Sequence, residues 1–252
     1  MPPTSAWFTT PKPNPSAKLR LFCFPFAGGG ASTYRTWPDA MLSTVEICAA
    51  VPPGREARLD EPAIPTIAPV VLGLADAIAS RLDKPFAFFG HSMGAMLAFD
   101  LARLLRARGL RLPSILLVSG SEAPHLPRSR EPIHHLDAAG FVEGLRRLNG
   151  VPAELLENDE LFRIFQPTLR ADLTLCETYQ AAEEPPLPCP IAALGGLEDP
   201  DVTREEIAAW KQHTTAAFSV RMLPGDHFFL DSARRQVIEV VAREIYKLGT
   251  LR

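Results

Sequence analysis

The sequence predicts an α/β fold with a mostly parallel central sheet and helices on both faces. Short apolar runs of strand character alternate with longer segments in which apolar residues recur at helical spacing, which is the pattern of such a sheet. The chain has 252 residues, 46% of them hydrophobic, which is enough for one large core. We therefore expect a single domain over residues 1–252, interrupted by one insertion.

The first half of the chain supplies an arm, four strands and two helices. Residues 1–16 are rich in Pro, Thr and Ser and are expected to form a loosely held arm. Thr66 can cap a helix whose apolar positions extend to Leu82, with Pro69 tolerated in its first turn. A second helix follows residue 94 and has a stop signal at Gly109. The predicted strands are residues 19–24, 45–51, 86–89 and 115–119.

The pattern Gly-x-Ser-x-Gly lies at residues 90–94, directly between a predicted strand and a predicted helix. A nucleophile elbow needs this context, because glycines relieve crowding at the sharp turn and leave Ser92 exposed at its apex. Many turns match so short a pattern by chance, but the strand, turn and helix together favour the catalytic interpretation. Ser92 is therefore the candidate nucleophile.

A glycine-rich loop, residues 25–32, follows the first strand. Three successive glycines could cradle a phosphate, but neither Gly-Lys-Ser/Thr nor the spacing of a dinucleotide fingerprint is present. In a Gly-x-Ser-x-Gly hydrolase, one oxyanion donor is the amide after the nucleophile, here Met93, and the other comes from such a loop. We assign the second amide to Ala27, with Gly28 as the alternative.

The alternation of strands and helices is interrupted between about residues 125 and 185. This stretch contains no strong strand, but Asp137 and Asn158 can each cap an amphipathic helix, and Pro167 is expected to kink or divide the second one. Such helices favour a lid over the ends of the strands. The alternative is a helical elaboration that only packs on the sheet.

The α/β pattern returns with strands at residues 191–194 and 218–223. Three acids follow the first of these strands, and we choose Asp199 as the triad acid over Asp201 and Glu198. His227 follows the last strand and precedes a final helix. The chain order Ser, Asp, His is the order of the α/β-hydrolase fold, which supports Ser92, Asp199 and His227 together.

Composition limits the classes of partner. The net charge of −3 and the isoelectric point near 6.1 argue against a protein that binds nucleic acid or a membrane surface. The four cysteines have no zinc-binding spacing and are expected to be reduced thiols, and the first residues do not resemble a signal peptide. We expect a cytoplasmic protein without a metal or a bound cofactor.

Five separated motifs give the chain a more specific resemblance. They are Phe24-Pro25-Phe26-Ala27-Gly28-Gly29, Pro53-Gly54-Arg55-Glu56-Ala57-Arg58, Gly90-His91-Ser92-Met93-Gly94, Leu169-Arg170-Ala171-Asp172 and Gly225-Asp226-His227-Phe228-Phe229-Leu230. In this order they resemble a type II thioesterase, a stand-alone α/β-hydrolase that accompanies polyketide synthases and non-ribosomal peptide synthetases. The resemblance implies hydrolysis of acyl groups from the phosphopantetheine arm of an acyl or peptidyl carrier protein. It also implies that residues 125–185 are a lid, and we expect a monomer.

Other functions are compatible with the same residues. A small-molecule carboxylesterase or lipase, or a medium-chain fatty acyl thioesterase, would use the same catalytic residues. A non-catalytic binding member of the fold is disfavoured because a nucleophile, a base and an acid are all present. A further hypothesis is that an acidic carrier protein meets the arginines of the lid region, which are Arg128, Arg130, Arg146 and Arg147.

Overall fold

The computed structural model describes residues 7–249 except residues 129, 149 and 152. In this part of the chain, seven strands form one sheet in the order β1-β3-β2-β4-β5-β6-β7. Strand β1 pairs antiparallel with β3, and the other neighbours are parallel. The strands are β1 (Phe8–Thr9), β2 (Leu19–Phe24), β3 (Val45–Ala50), β4 (Phe86–His91), β5 (Leu116–Ser119), β6 (Ile191–Gly196) and β7 (Phe218–Leu223).

Helices fill the connections between the strands. They are α1 (Trp37–Ala40), α2 (Ile67–Ile78), α3 (Met93–Ala107), α4 (Ala138–Leu148), α5 (Ala153–Glu157), α6 (Asp159–Thr178), α7 (Arg204–Ala208), α8 (Phe229–Ser232) and α9 (Arg234–Lys247). Thr66 is at the N-cap position of α2 as predicted, but its side chain makes no capping hydrogen bond. Within the described ranges, no helix is long and apolar enough to cross a membrane.

The predicted α/β architecture is confirmed, and the core is divided by the sheet into two layers. Alternate residues of a strand point to opposite faces. Phe22 and Phe88 pack with helices α2 and α3 on one face, whereas Leu21 and Phe89 pack with α1 and α9 on the other. Strands of a parallel sheet are apolar at successive positions because both faces are covered in this way.

The predicted loosely held arm is wrong for its described part. Trp7 and Phe8 are buried, and Phe8 pairs with Ala50 at the edge of the sheet. The ring of Phe8 meets Phe22 edge to face at 5.1 Å, and the Arg58 guanidinium lies 4.3 Å from the Trp7 ring centroid. Two large aromatic side chains bury enough apolar surface to hold the segment against the sheet. Residues 1–6 of the predicted arm lie outside the described residues.

Helices α4, α5 and α6 form the insertion between β5 and β6. Asp137 accepts the Gly140 amide at 2.8 Å, and Asn158 accepts the Leu161 amide at 3.0 Å, so both predicted caps are present. The predicted division at Pro167 is wrong, because α6 continues through that residue. The insertion has a small core of its own, composed of Ile133, Phe141, Leu145, Leu156, Leu169 and Leu173.

All four cysteines lie in the described part of the chain, and they are free and buried. Burial raises the pKa of the Cys176 thiol to about 12 and that of Cys189 to about 11. These thiols are therefore protonated side chains of the core.

Candidate active site

Ser92 occupies the turn between β4 and α3. Its backbone is at φ 54° and ψ −117°, a left-handed conformation that is strained for a residue other than glycine. The turn is fixed on both sides, because the Ser92 amide donates to the Ser119 carbonyl at 2.7 Å and the Ser92 carbonyl accepts the Ala95 amide at 2.9 Å. The side chain is thereby presented beyond the end of a central strand.

The two glycines of the elbow are required by close backbone approach. A Cβ at Gly94 would lie 2.0 Å from the Phe24 carbonyl oxygen, and a Cβ at Gly90 would lie 2.0 Å from the Gly94 oxygen. Backbone atoms cannot move away from such a contact without displacing β2 or α3. The glycines therefore let the nucleophile helix begin directly against the sheet.

His227 and Asp199 lie after β7 and β6, on the same edge of the sheet as Ser92. His227 Nδ1 donates to Asp199 Oδ2 at 2.9 Å. The other carboxylate oxygen, Oδ1, accepts the amides of Asp201 at 2.9 Å and Val202 at 3.2 Å. Since Nδ1 carries the proton in this bond, Nε2 of a neutral His227 is the nitrogen with the free lone pair.

The environment keeps Asp199 ionised. Burial raises the pKa of this carboxyl, but the hydrogen bond and charge of His227 and the two backbone amides lower it more, so the pKa lies below its ordinary value. The Asp199 side chain is 0% exposed and that of His227 is 15% exposed. An ionised, buried carboxylate can hold one tautomer of the imidazole and stabilise its protonated form.

The competing acids take other positions. Asp201 forms an ion pair with Arg130 at 2.8 Å, and Glu198 is exposed. Asp199, Asp201 and His227 do bring one ligand atom each within 4.8 Å of one another. These atoms already have partners in Arg130, the His227 N–H and two backbone amides, so the arrangement gives no support for a metal ion. The prediction of an enzyme without a metal stays a prediction.

The geometry also separates the two candidates for the second oxyanion donor. The Gly28 amide donates to Asp172 Oδ2 at 2.7 Å and is therefore occupied. Ala27 lines the same cavities as Ser92 and His227, and among the described residues its amide has no protein partner. Met93 is the first residue of α3, where helical N–H groups lack intrahelical acceptors. Ala27 and Met93 are thus the amides free to bind an oxyanion.

Comparison with known proteins identifies the family. The family model described as thioesterase domain matches residues 19–245 of this chain. The chain belongs to the thioesterase family. It is a thioester hydrolase, and the predicted α/β-hydrolase fold and the resemblance to type II thioesterases are confirmed.

Individual relatives of the thioesterase cover nearly its whole length. Linear gramicidin dehydrogenase LgrE of Brevibacillus parabrevis is 46% identical over 240 residues, which are 94% of this chain and 91% of that protein. The solved structure of the type II thioesterase BorB from the borrelidin biosynthetic cluster has a TM-score of 0.86 at 35% identity and covers 98% of both chains. The structure of YbtT, a type II thioesterase from the yersiniabactin NRPS/PKS biosynthetic pathway, has a TM-score of 0.87 at 32% identity and covers 96% of this chain and 99% of that one.

Two adjoining cavities meet at Ser92 and His227 in the thioesterase. One has a mixed lining that includes the charged residues Glu122, Arg128 and Glu177. The other is mainly apolar, and its aliphatic lining residues are Leu145, Leu148, Val151, Leu169 and Leu173. Most of these aliphatic residues come from α4 and α6, so the insertion forms one wall beside the nucleophile.

The sequence did not predict the structural role of His91, which lies beside Ser92 in the elbow. This residue is buried, and its Nε2 lies 2.9 Å from the His227 carbonyl while its Nδ1 lies 2.9 Å from Ser119 Oγ. A carbonyl only accepts, so Nε2 carries the proton and Nδ1 accepts from the Ser119 hydroxyl. Burial, together with the nearby His227, lowers the pKa of His91 to about 3. A neutral His91 thus holds the backbone of His227.

The other histidines form one set of side chains in the thioesterase, and the predicted lid arginines form another. His125 and His213 contact each other at 2.8 Å, and His134 contacts Glu177 at 2.6 Å. Among the described residues, none of these three histidines lines the two cavities that Ser92 and His227 share. Among the four arginines of the lid region, Arg128 pairs with Glu122 at 3.0 Å and Arg130 with Asp201, both at the cavities. The remaining two, Arg146 and Arg147, are exposed at the end of α4.

Proposed function

We propose that this thioesterase releases acyl groups from the phosphopantetheine arm of carrier proteins in non-ribosomal peptide or polyketide biosynthesis. The observation that carries the chemical part is the hydrogen bond from His227 Nδ1 to Asp199 Oδ2 at 2.9 Å, beside a cavity that Ser92 and His227 share. Two similar type II thioesterases support the biosynthetic context. BorB comes from the borrelidin biosynthetic cluster, and YbtT comes from the yersiniabactin NRPS/PKS biosynthetic pathway.

The first half of the reaction transfers the acyl group to the enzyme. Nε2 of His227 takes the proton of Ser92 as the serine oxygen attacks the thioester carbonyl. The amides of Met93 and Ala27 donate to the oxyanion, and loss of one such donor costs about 3 kcal/mol of transition-state stabilisation. Asp199 stabilises the imidazolium. The carbon–sulfur bond then breaks, and the pantetheine thiol leaves with the proton from His227.

The second half returns the enzyme to its starting state. His227 activates a water molecule, which attacks the acyl-Ser92 ester through the same oxyanion site. The ester bond breaks, Ser92 recovers its proton from His227, and the free carboxylic acid leaves. The chain's own groups supply each proton transfer in this scheme.

The helical insertion acts as the acyl-binding lid in this proposal. Leu145 and Leu148 of α4 and Leu169 and Leu173 of α6 line the apolar cavity next to Ser92. An acyl chain bound there would be shielded from water, which strengthens the hydrogen bonds to the oxyanion. Movement of these helices is not required by the scheme.

The carrier protein is proposed to dock at the end of α4. Arg128 and Arg130 are engaged with Glu122 and Asp201, so the arginine hypothesis narrows to Arg146 and Arg147. The Arg146 side chain is 54% exposed, and its contact with Glu143 is 3.8 Å long. Exposed cations of this kind steer an acidic partner more than they fix it.

A second candidate function is hydrolysis of small or fatty acyl esters without a carrier. The aliphatic lining of the cavity favours it, because such a lining accepts an apolar acyl chain whatever its leaving group. The two functions differ in one respect. A carrier thioesterase gains binding energy from contacts with the carrier protein outside the cavity, whereas an esterase for small substrates does not.

The test compares acyl release from a phosphopantetheinylated carrier protein with release from acyl-pantetheine, using wild type and Ser92→Ala. We expect faster release from the carrier, abolished by the substitution. The charge-reversed pair Arg146→Glu/Arg147→Glu should slow release from the carrier and leave acyl-pantetheine unaffected. The matched control is Arg234→Glu/Arg235→Glu, a second adjacent pair of exposed arginines on α9. Equal rates on both substrates with wild type would favour the small-substrate esterase.

A further inference from the structure

Two of the five sequence motifs, residues 53–58 and 169–172, supply no group to the proton transfers above, and one buried ion pair joins them in the fold. Arg55 follows β3, and Asp172 lies in α6. Their side chains form a bidentate pair, with Nη1 to Oδ2 at 2.8 Å and Nη2 to Oδ1 at 2.7 Å. Only 6% of the Arg55 side chain and 3% of the Asp172 side chain are exposed. The pair is therefore almost removed from solvent screening.

Both partners also bind the glycine-rich loop that contains Ala27. Asp172 Oδ2 accepts the Gly28 amide at 2.7 Å, and Arg55 Nη1 donates to the Gly29 carbonyl at 2.8 Å. A third contact comes from Glu56, whose Oε1 accepts the Ser32 amide at 2.8 Å. The loop after β2 is thus held by the loop after β3 and by a helix of the insertion.

A loop of three successive glycines has little conformational preference of its own. Gly28 lies at φ +79°, and glycine can leave that conformation at small cost. An oxyanion donor stabilises a transition state only when its direction is fixed in advance. The contacts to Gly28 and Gly29 fix the peptides that follow Ala27, and they occupy the Gly28 amide so that it cannot compete.

We propose that Arg55 and Asp172 are positioning residues that hold the oxyanion loop in its reactive geometry and join it to helix α6. The inference rests on the proposed function, since it assumes that Ala27 donates to the oxyanion. Arg55 and Asp172 touch neither Ser92 nor His227 among the contacts of the described residues. They act through the backbone of the loop.

The alternative is that the pair only stabilises the fold. Replacement of a buried ion pair is often neutral for stability, whereas removal of one partner is destabilising. Arg58 offers a matched control because it is equally buried, pairs with Glu61 at 2.6 Å and donates to the Val51 carbonyl at 3.0 Å. It makes no contact with the glycine-rich loop among the described residues.

The experiment uses Arg55→Lys, Asp172→Asn and the control Arg58→Lys in the full chain. Lysine keeps the charge but cannot form the bidentate pair, and asparagine keeps the shape but loses the charge. Three quantities are measured for each protein: kcat and KM for p-nitrophenyl butyrate, the labelling rate of Ser92 by an alkyl fluorophosphonate, and the inhibition constant of an alkyl boronic acid. Urea unfolding gives the folded fraction, to which the rates are normalised.

We expect Arg55→Lys and Asp172→Asn to lower kcat and the labelling rate of Ser92 at least tenfold. The inhibition constant of the boronic acid should rise by a similar factor, and KM should stay within threefold of the wild-type value. Arg58→Lys should lower stability while keeping these rates within threefold of wild type. Equal effects in Arg55→Lys and Arg58→Lys after normalisation would overturn the inference and leave the proposed function standing. Absence of any reaction at Ser92 in wild type would overturn both. If Asp172→Asn does not fold, the comparison of Arg55→Lys with Arg58→Lys tests the inference by itself.

Discussion

His91 gives the folded thioesterase a predicted sensitivity to acid, and the substitution His91→Gln isolates it. The buried ring accepts from the Ser119 hydroxyl and donates to the His227 carbonyl. Glutamine can supply one donor and one acceptor but has no group that titrates in this range. The variant therefore keeps the hydrogen-bonding capacity of the site and removes only its titration.

The magnitude follows from the pKa of His91. Burial and the nearby His227 lower this pKa to about 3, against the opposing effects of the hydrogen bond to the His227 backbone and of Asp199, whereas an unfolded histidine has a pKa of 6.5. Between these values the unfolded chain binds the additional proton, so stability is complete above pH 6.5 and decreases as the pH falls. At 1.36 kcal/mol per pH unit, the decrease from this group is about 2 kcal/mol at pH 5.

The assay is urea unfolding at pH 8, 7, 6 and 5. Wild type should lose about 2 kcal/mol more between pH 8 and pH 5 than His91→Gln does. His135→Gln, which replaces an exposed histidine, should behave as wild type. A variant whose stability falls with pH as steeply as that of wild type would refute the reasoning that His91 is held neutral by burial.

Three further predictions concern the acid, the edge strand and the cavity. Asp199→Asn should lower kcat about 10³-fold or more, because the amide no longer holds the reactive tautomer, whereas Asp201→Asn should change it less than tenfold; similar losses in both would reassign the acid. Trp7→Ala should lower the free energy of unfolding by about 3 kcal/mol in urea, since the ring is 8% exposed and packs under Arg58; a change below about 0.5 kcal/mol would mean that the edge strand is dispensable. Leu148→Trp should narrow the apolar cavity, so kcat/KM should fall at least tenfold more for octanoyl than for acetyl thioesters; an unchanged chain-length profile would remove this cavity as the acyl site.

The strands and the nucleophile elbow could be predicted because their signals are local. Each strand is a short apolar run between turn residues, and the elbow depends on glycines directly beside Ser92. The order of Ser92, Asp199 and His227 along the chain was also readable, since each follows a predicted strand. Parallel strands bring such positions to one edge whatever the loop lengths are.

Predictions that depended on local composition alone were less successful. Pro, Thr and Ser suggested a loose arm, but Trp7 and Phe8 are buried against the sheet. Pro167 suggested a kink or a division of the helix, and the division is wrong because α6 continues through that residue. In both places, burial of apolar side chains outweighs the local preference: Trp7 and Phe8 pack against the sheet, and Leu169 and Leu173 of α6 lie in the core of the insertion.

The sequence by itself indicated the fold class through the alternation of strands and helices, Ser92 through the glycines beside it, and His227 through its place after the last predicted strand. Only the tertiary structure shows the partners that favour Asp199 over Asp201 and Ala27 over Gly28. Those choices depend on which oxygen or amide is already bonded to a partner far along the chain, such as Arg130 or Asp172. Hydrogen bonds at such sequence separations leave no local signal, since only packing of the whole chain brings the two atoms within 3 Å.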